Sequence, residues 1–376
     1  MKASVNPNYS PAYVACHVSR SLFCAIFLML AIMISPVAGF VFSAADDPEN
    51  HAPALERHQF TSPHMGTLFR IVLYASSDSL ASAAADSAFR RIEELNDIMS
   101  DYIPDSELNH LAATAGSGNF VPVSGPLFEV LQTSQMVSAQ TGGAFDITSG
   151  PFVRLWREMR RDEEPQLPGK KALREASQSV GYKHLKLDES RQKAMLEKPG
   201  MKLDLGGIAK GYAADEIRQV LLHFGIESVL IDAGGDMVTG SAPPGRDGWN
   251  IAVPAHDEHD EPDPFLLTLT HAAVSTSGDL YQFVEIDGKR YSHIIDPKTG
   301  IGITEQRTVT VIGESAMLAD AYSTALSVLP IPDGLALIDR KTGYSSYFEV
   351  IDGETITPYE TEEFTELREN QNRSDR

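Results

Sequence analysis

The sequence has little cysteine and little positive charge, and each shortage excludes a class of function. Its two cysteines, Cys16 and Cys24, both lie within residues 1–45, so the rest of the chain has no cysteine nucleophile, disulfide or thiolate metal site. Against 52 acidic residues there are 31 lysines and arginines, a net charge of −21. Such a chain does not bind nucleic acid or an anionic membrane through its overall field, so any phosphate site must be local.

The amino-terminal segment has the features of a secretory signal. Lys2 and Arg20 precede an apolar run over residues 22–34, and small residues follow. This order predicts export across the bacterial inner membrane, to the periplasm or its membrane face. Residues 1–45 are then either cleaved or kept as a membrane anchor, because apolar residues resume at 40–42.

The remaining composition predicts a folded body followed by a loosely packed end. Hydrophobic residues make up 42% of the chain, which is enough for a sizeable core. Strand-like and helix-periodic segments alternate over residues 55–352, so this part is predicted to be one domain of mixed α and β structure. Residues 353–376 are acidic with few large apolar side chains, and we expect a loosely ordered tail.

Hydrophobic periodicity predicts the main helices, and β-rich runs predict the strands. Helices are expected at residues 79–100, 127–140 and 315–328, and another after Lys210. Residues 165–171 are charged and contain two prolines, so they are expected to be an exposed excursion. Strands are expected at residues 68–74, 185–187, 229–232, 249–253, 266–269, 283–286, 308–312 and 347–351.

A glycine-rich segment, residues 204–215 (DLGGIAKGYAAD), stands where an apolar strand is predicted to pass into a helix. Glycines let the backbone approach an anion, and the start of a helix favours negative charge. Lys210 adds a mobile positive charge. The segment indicates a phosphate-bearing ligand, although it does not match the P-loop pattern. A purely structural turn is the alternative.

Asp320 and Thr324 are four residues apart on a predicted helix, so their side chains share one face, with Ser323 beside them. Carboxylate and hydroxyl oxygens suit Mg²⁺, which keeps waters and shares phosphate oxygens with a substrate. The alternative is a helix-surface aspartate with a threonine that bonds back to its own backbone.

His293, within residues 291–297 (YSHIIDP), is the best candidate for proton transfer. An imidazole titrates near neutrality and can take a proton from an attacking hydroxyl. The alternative is a histidine that bonds Asp296 or a loop carbonyl.

Eight short motifs follow one another in a fixed order. They are residues 65–67 (MGT), 102–108 (YIPDSEL), 142–148 (GGAFDIT), 204–215, 231–236 (IDAGGD), 275–279 (STSGD), 291–297 and 319–325 (ADAYSTA). Together they resemble the ApbE-like FAD:protein FMN transferases from about residue 60 to about residue 350. The resemblance implies an α+β fold of mixed β-sheets flanked by helices, with the flavin site in a cleft between two subregions.

The resemblance also implies a reaction and its residues. FMN passes from the substrate FAD to a threonine or serine hydroxyl of an acceptor flavoprotein, and AMP leaves. His293 would take the proton, while Lys210 and Mg²⁺ would stabilise charge on the phosphate oxygens. The implied metal ligands are Gly207 through its carbonyl, Asp320, Ser323 and Thr324. The implied FAD contacts are Met65, Tyr102, Ala144, Phe145, Asp146, Asp204, Lys210, His293 and Ile294.

Two other functions remain open for the same residues: hydrolysis of FAD to FMN and AMP, and FAD binding without turnover. Two motifs also have bland alternatives. Residues 232–236 place carboxylates near the adenosine half of FAD or form a glycine turn after a strand. Residues 275–279 bind phosphate or form a loop that satisfies its own hydrogen bonds.

Overall fold

An eight-stranded antiparallel sheet covered by helices forms the centre of the fold. The computed structural model describes residues 54–161, 165–256, 264–278, 282–353 and 355–374, all within one compact unit. The segment predicted as a signal or anchor, residues 1–45, and Asp279 of the STSGD motif lie outside these residues. In the described part of the chain, no helix combines the length and apolar composition needed to cross a membrane.

The helices and strands follow one another in this order. The strands are β1 (Glu56–His64), β2 (Thr67–Ala75), β3 (Val121–Pro122), β4 (Leu185–Asp188), β5 (Lys193–Leu196), β6 (Val229–Ala233), β7 (Asp236–Thr239), β8 (Trp249–Val253), β9 (Phe265–Leu269), β10 (Ala273–Gly278), β11 (Phe283–Ile286), β12 (Lys289–Ser292), β13 (Gln306–Gly313), β14 (Ser345–Asp352) and β15 (Thr355–Glu360). The helices are α1 (Asp78–Met99), α2 (Glu107–Ala113), α3 (Gly125–Gln140), α4 (Gly150–Met159), α5 (Lys170–Ser177), α6 (Ala209–His223), α7 (Ala316–Val328), α8 (Ile331–Ile338) and α9 (Glu362–Ser374).

The large sheet has the strand order β1-β2-β6-β7-β10-β13-β14-β15. Its neighbouring strands all pair antiparallel, as do those of the smaller sheets β3-β5-β4, β8-β9 and β11-β12. The predicted α+β class is confirmed, and the sheets are antiparallel rather than mixed within the described residues. Hairpins such as β6-β7 allow this pairing, because Gly234 and Gly235 take φ of 73° and 104° in a two-residue turn. The glycine-turn interpretation of residues 232–236 is thus confirmed.

Both faces of the large sheet are buried. Ile71 and Leu73 of β2 belong to the main core, which includes α1, α6 and α7. Val72 between them points to the opposite face, where Trp249 of β8 and Phe364 of α9 pack. This alternation follows from the two-residue period of a strand.

Helices α6 and α7 are joined at two points. The carboxylate of Asp215 on α6 accepts hydrogen bonds from Ala316 N and Met317 N, both at 3.0 Å, and so caps the start of α7. One turn earlier, a Cβ added to Gly211 would lie 2.2 Å from the Ala316 carbonyl oxygen. Only glycine lets the two helices cross this closely.

The carboxyl-terminal residues are not a loosely ordered tail, so that prediction was wrong. Strand β15 pairs with β14, and the Phe364 ring of α9 is fully buried, 5.3 Å from the Tyr347 ring. Backbone pairing and one large aromatic side chain hold a segment whose average composition is polar.

Two further expectations changed. Residues 275–277 lie in strand β10, in the interior of the large sheet, and not in a loop. The strand predicted to lead directly into α6 is absent: residues 201–205 are irregular, and the helix follows a turn. Residues 165–169 are irregular, as expected of an excursion, and α5 after them buries no residue.

Candidate functional site

The glycine-rich segment brings its backbone against helix α7. A Cβ added to Gly207 would lie 2.7 Å from Thr324 Oγ1, and one added to Gly206 would lie 2.9 Å from Asp204 Oδ1. The absence of a side chain at these glycines therefore lets the backbone lie close to Thr324 and Asp204. They adjoin the predicted metal-binding face of α7.

Lys210 is held between two carboxylates from different elements. Its ammonium donates to Asp236 at the start of β7 and lies 3.7 Å from Asp320 Oδ2 on α7. Ser275 Oγ donates to Asp236 Oδ1 over 2.5 Å and lies 3.1 Å from Ser323 Oγ. We call Lys210, Asp236, Ser275, Asp320 and Ser323 the Lys210 cluster. The structure thus brings residues of four distant motifs into direct contact.

The Lys210 cluster holds more negative than positive charge. Asp236 and Asp320 are each 3% exposed. Burial, and then the nearby Asp236, raise the pKa of Asp320 to about 7, while Lys210 opposes this. Burial alone would lower the pKa of Lys210, but Asp320 and Asp236 outweigh it and raise that pKa. One ammonium faces two carboxylates, so an added cation would relieve the excess negative charge.

The predicted metal ligands fit such a cation. The alternative of a helix-surface aspartate is wrong, because Asp320 is buried and accepts a hydrogen bond from Gly211 N at 3.2 Å. Thr324 Oγ1 adjoins the backbone of Gly207, and Thr324 stands one turn after Asp320 on α7. This hard-oxygen set is the kind that Mg²⁺ prefers.

Ser323 is fully buried, and its hydroxyl has partners inside the protein. It lies 2.8 Å from Ser277 Oγ and donates to the Asp320 carbonyl over 2.9 Å. These contacts tie α7 to β10. A ligand role for Ser323 stays a prediction.

A second polar group centres on an arginine that the sequence analysis did not select. Arg157 of α4 donates to Asp204 Oδ2 over 2.8 Å and to Asp101. Its guanidinium carbon lies 4.2 Å from the centroid of the Tyr102 ring. We call Asp101, Tyr102, Arg157 and Asp204 the Arg157 cluster. Burial and then Asp101 raise the pKa of Asp204, and Arg157 opposes this.

Tyr102 is 70% exposed, so its ring offers an open surface on which a planar ligand ring can stack. Asp204 Oδ1 accepts from Gly206 N at 2.9 Å, which fixes the start of the glycine-rich segment. The Arg157 cluster therefore joins the YIPDSEL motif to that segment.

Residues 142–148 form a turn after α3 and the start of a short 3-10 helix (Ile147–Ser149), and their predicted site residues lie inside the fold. Ala144 and Phe145 are 3% and 4% exposed, so Phe145 packs in the core. The Asp146 carboxylate accepts hydrogen bonds from Thr148 N and Tyr182 N, both at 2.8 Å. Burial raises the pKa of Asp146, and these hydrogen bonds oppose the rise. Flavin contacts by these three residues stay predictions.

His293 bonds a loop carbonyl and not Asp296. Its Nδ1 lies 3.1 Å from the Gln282 carbonyl oxygen, whereas Asp296 accepts from Lys298 N and Thr299 Oγ1. A neutral ring that donates through Nδ1 keeps its lone pair on Nε2. Burial, aided by the charges of Arg160 and Lys210, lowers the pKa of His293, which favours the neutral ring. His293 can therefore bond the Gln282 carbonyl through Nδ1 and still accept a proton at Nε2.

Helix α4 joins the His293 segment to the Arg157 cluster. Trp156, next to Arg157, donates to the Gly300 carbonyl over 2.8 Å and packs 5.7 Å from the Tyr291 ring. Ile294 is buried, and its N–H donates to Ser292 Oγ over 3.0 Å. One helix therefore positions parts of two motifs.

The remaining predicted residue, Met65, lies in the turn between β1 and β2. It is half-buried with a φ of 48°, followed by Gly66 at 75°. A Cβ added to Gly234 would lie 2.2 Å from Thr67 Oγ1, so this turn touches the turn between β6 and β7. A flavin contact by Met65 stays a prediction.

Two cavities lie away from these residues. One, of about 580 Å³, is lined by residues of α3 together with Leu187 and Glu189. The other, of about 270 Å³, includes Tyr212 and Arg218 of α6 in its lining. Neither includes a predicted metal or flavin residue.

Sequence reasoning missed Arg157, and for Asp236 it offered a place near the adenosine half of FAD or a turn, but not the contact with Lys210. For Arg157 a signal was present: Phe152, Trp156 and Met159 recur at helical spacing and are all buried. For the pairing of Asp236 with Lys210 there was none, because it depends on which strand lies beside β7.

Comparison with known proteins agrees with the order of the motifs. The ApbE family model matches residues 65–348. An FAD:protein FMN transferase of Klebsiella pneumoniae (strain 342) is 30% identical over 80% of this chain and 86% of its own length. One of Vibrio cholerae is 32% identical over 76% of this chain and 85% of its own length.

Solved structures agree as well. The Pseudomonas stutzeri flavinyl transferase ApbE, in its apo form, is 30% identical and superposes with a TM-score of 0.75 over 84% of this chain and 98% of its own. The flavin transferase ApbE from Vibrio cholerae is 28% identical, with a TM-score of 0.76 over 83% and 99%. The chain therefore belongs to the ApbE family.

Proposed function

We propose that the protein is a magnesium-dependent FAD:protein FMN transferase, which moves FMN from FAD to a threonine or serine of an acceptor flavoprotein and releases AMP. The observation that carries the proposal is the meeting of Lys210, Asp320 and Thr324 at the glycine-rich segment. Relatives named FAD:protein FMN transferases support it.

Asp320, Thr324 and the carbonyl of Gly207 would hold Mg²⁺, with Ser323 as a further candidate. When bound there, the ion supplies Lewis acidity that offsets charge on the diphosphate of FAD. The arrangement of the Lys210 cluster, in which one ammonium faces two buried carboxylates, supports this assignment.

The chain's own residues divide the remaining work. The acceptor hydroxyl oxygen forms a bond to the FMN phosphorus, and the bond from that phosphorus to the bridging oxygen breaks. The hydroxyl proton passes to Nε2 of His293, and AMP leaves with the bridging oxygen. Lys210 sets a positive charge beside the phosphate oxygens, where charge stabilisation contributes most to the rate.

Flavin recognition falls to the other predicted contacts. The open ring of Tyr102 offers a stacking surface, and Arg157 fixes Tyr102 and Asp204 relative to each other. The remaining predicted contacts, Met65, Ala144, Phe145, Asp146 and Ile294, belong to the same proposal.

Export is part of the proposal, since the acceptor must be in the same compartment. The charged and apolar pattern of residues 1–45 supports a periplasmic enzyme, either free or anchored on the membrane. Mass measurement of the exported protein distinguishes the two, because cleavage removes the amino-terminal residues. A protein retained in the cytoplasm would contradict the localisation.

The activity is tested by incubating the exported protein with FAD, Mg²⁺ and a candidate acceptor. A fluorescent, flavin-labelled acceptor band together with AMP is the expected result. Free FMN and AMP without a labelled band would instead indicate FAD hydrolysis. FAD binding without AMP would indicate a flavin-binding protein.

A further inference from the structure

Asp236 is a buried carboxylate with no role in the reaction as proposed above. It begins β7, it is 3% exposed, and one of its oxygens accepts from Lys210. Burying a carboxylate is costly unless it is paired and hydrogen-bonded. Its two oxygens therefore need an explanation.

Asp236 is fixed from both sides. In the β7-β10 ladder it stands opposite Ser275, whose Oγ donates to Asp236 Oδ1. Ser275 in turn lies 3.1 Å from Ser323 Oγ on α7. The strand register and the Ser275 hydroxyl thus fix the orientation of this carboxylate. A surface aspartate has no such constraint.

Lys210, by contrast, has a long flexible side chain and a second possible partner. Its ammonium forms an ion pair with Asp320 Oδ2 at 3.7 Å, longer than a hydrogen bond, and donates a hydrogen bond directly to Asp236. Without Asp236, the ammonium is free to move onto Asp320 and neutralise the carboxylate proposed to bind Mg²⁺. Two functions would then compete for one group.

We propose that Asp236 is the positioning residue of Lys210: it keeps the ammonium from closing its longer ion pair with Asp320 into a hydrogen bond, which leaves that carboxylate available to a divalent cation and the ammonium available to phosphate. The inference rests on the proposed function for the identity of the cation and the phosphate. It assigns Asp236 an effect that acts through Lys210 and not through its own charge alone.

A double-mutant cycle on the full chain tests this dependence. Mg²⁺ binding is measured by calorimetry, without flavin or acceptor, for the native protein and for Asp236→Asn, Lys210→Met and the double variant. Directly coupled residues give interaction energies that correspond to about tenfold in an equilibrium constant. We expect Asp236→Asn to weaken Mg²⁺ binding about tenfold when Lys210 is present, and less than about threefold when Lys210 is Met.

Equal weakening in both backgrounds would overturn the proposal, because it would mean that Asp236 acts only through its negative charge. No weakening in either background would overturn it as well. The matched control is Asp232→Asn in the same hairpin, where Asp232 pairs with Arg70 at 2.7 Å and its side chain is 20% exposed. That control is expected to leave Mg²⁺ affinity unchanged in both backgrounds.

Should Asp236→Asn fail to fold, Ser275→Ala provides a milder variant. It removes the hydroxyl that orients Asp236, and we expect a smaller loss of Mg²⁺ affinity that again requires Lys210. A loss that does not depend on Lys210 would count against the proposal. Because these readouts need no flavin, a native protein that binds Mg²⁺ but transfers no FMN would refute the proposed function and leave this test readable.

Discussion

The Lys210 cluster and the Arg157 cluster are both networks of charge, but they are built differently. The first joins side chains of two helices and two strands, and its carboxylate side chains are 4% exposed. The second joins one helix to the irregular residues Asp101, Tyr102 and Asp204, and its carboxylate side chains are 24% and 14% exposed. The groups proposed to take part in the reaction thus stand on buried helices and strands, whereas those proposed to recognise flavin include residues of irregular segments.

Burial decides what each cluster can do. A buried charge is poorly solvated and interacts strongly with neighbouring charges, so a small displacement of its side chain changes the interaction energy greatly. Water screens the Arg157 cluster more, so loss of one contact there is expected to cost less. Changes in the two clusters should therefore differ in size and in the kinetic constant they affect.

The largest effect is expected from Asp320→Ala. AMP release should fall by roughly 10²–10³-fold or more, because stabilisation of developing charge is lost. Flavin affinity should remain, since ground-state binding depends less on that charge. AMP assay and flavin fluorescence titration measure the two, with Asp333→Ala on the exposed side of α8 as control. Unchanged AMP release would remove Asp320 from the mechanism.

The second-largest effect, on stability, is expected from Gly211→Ala. The added Cβ would lie 2.2 Å from the Ala316 carbonyl oxygen and 2.9 Å from Asp320 Cβ. Forcing α6 away from α7 should lower the free energy of unfolding by about 1–3 kcal/mol. Denaturant titration checks this.

Gly125→Ala is the matched control for Gly211→Ala. Gly125 also lies in a helix, but the nearest atom to an added Cβ is 4.0 Å away. Its substitution should leave stability unchanged or raise it by up to about 1 kcal/mol. Equal loss of stability in both variants would show that the close contact between α6 and α7 at Gly211 does not cause the loss.

Arg157→Met should give a smaller, differently distributed effect. Tyr102 and Asp204 lose their common partner, so KM for FAD is expected to rise about tenfold with kcat nearly kept, the pattern of lost ground-state binding. Arg154→Met on the same helix is the control, because its pair with Glu158 is exposed and contributes little. A fall in kcat comparable with that of Asp320→Ala would mean that the clusters act as one.

The smallest effect concerns pH. Proton acceptance needs neutral His293, so kcat/KM should decline as pH falls through the pKa of His293, which lies below that of an ordinary histidine. NMR titration of the imidazole measures this pKa directly, and Lys210→Met should raise it slightly by removing a neighbouring positive charge. A pKa above the ordinary value would contradict the environment described for His293.

The sequence predicted the fold better than it predicted the site. Helices α1, α3 and α7 begin and end within two residues of their predicted bounds, because their apolar residues recur with helical period. Metal-binding candidates on α7 were also predicted from spacing. The pairing of Lys210 with Asp236 was not, since it depends on the order and register of β7 and β10, which local periodicity does not encode.

The Asp215 cap has a consequence for motion. Because one side chain of α6 binds the first amides of α7, the helix carrying the ammonium and the helix carrying the buried carboxylate lose their freedom together. Amide protons of Ala316 and Met317 should then exchange with solvent only when both helices open cooperatively. The relative position of Lys210 and Asp320 is accordingly expected to be set before any ligand arrives, because neither helix can shift without breaking these two hydrogen bonds.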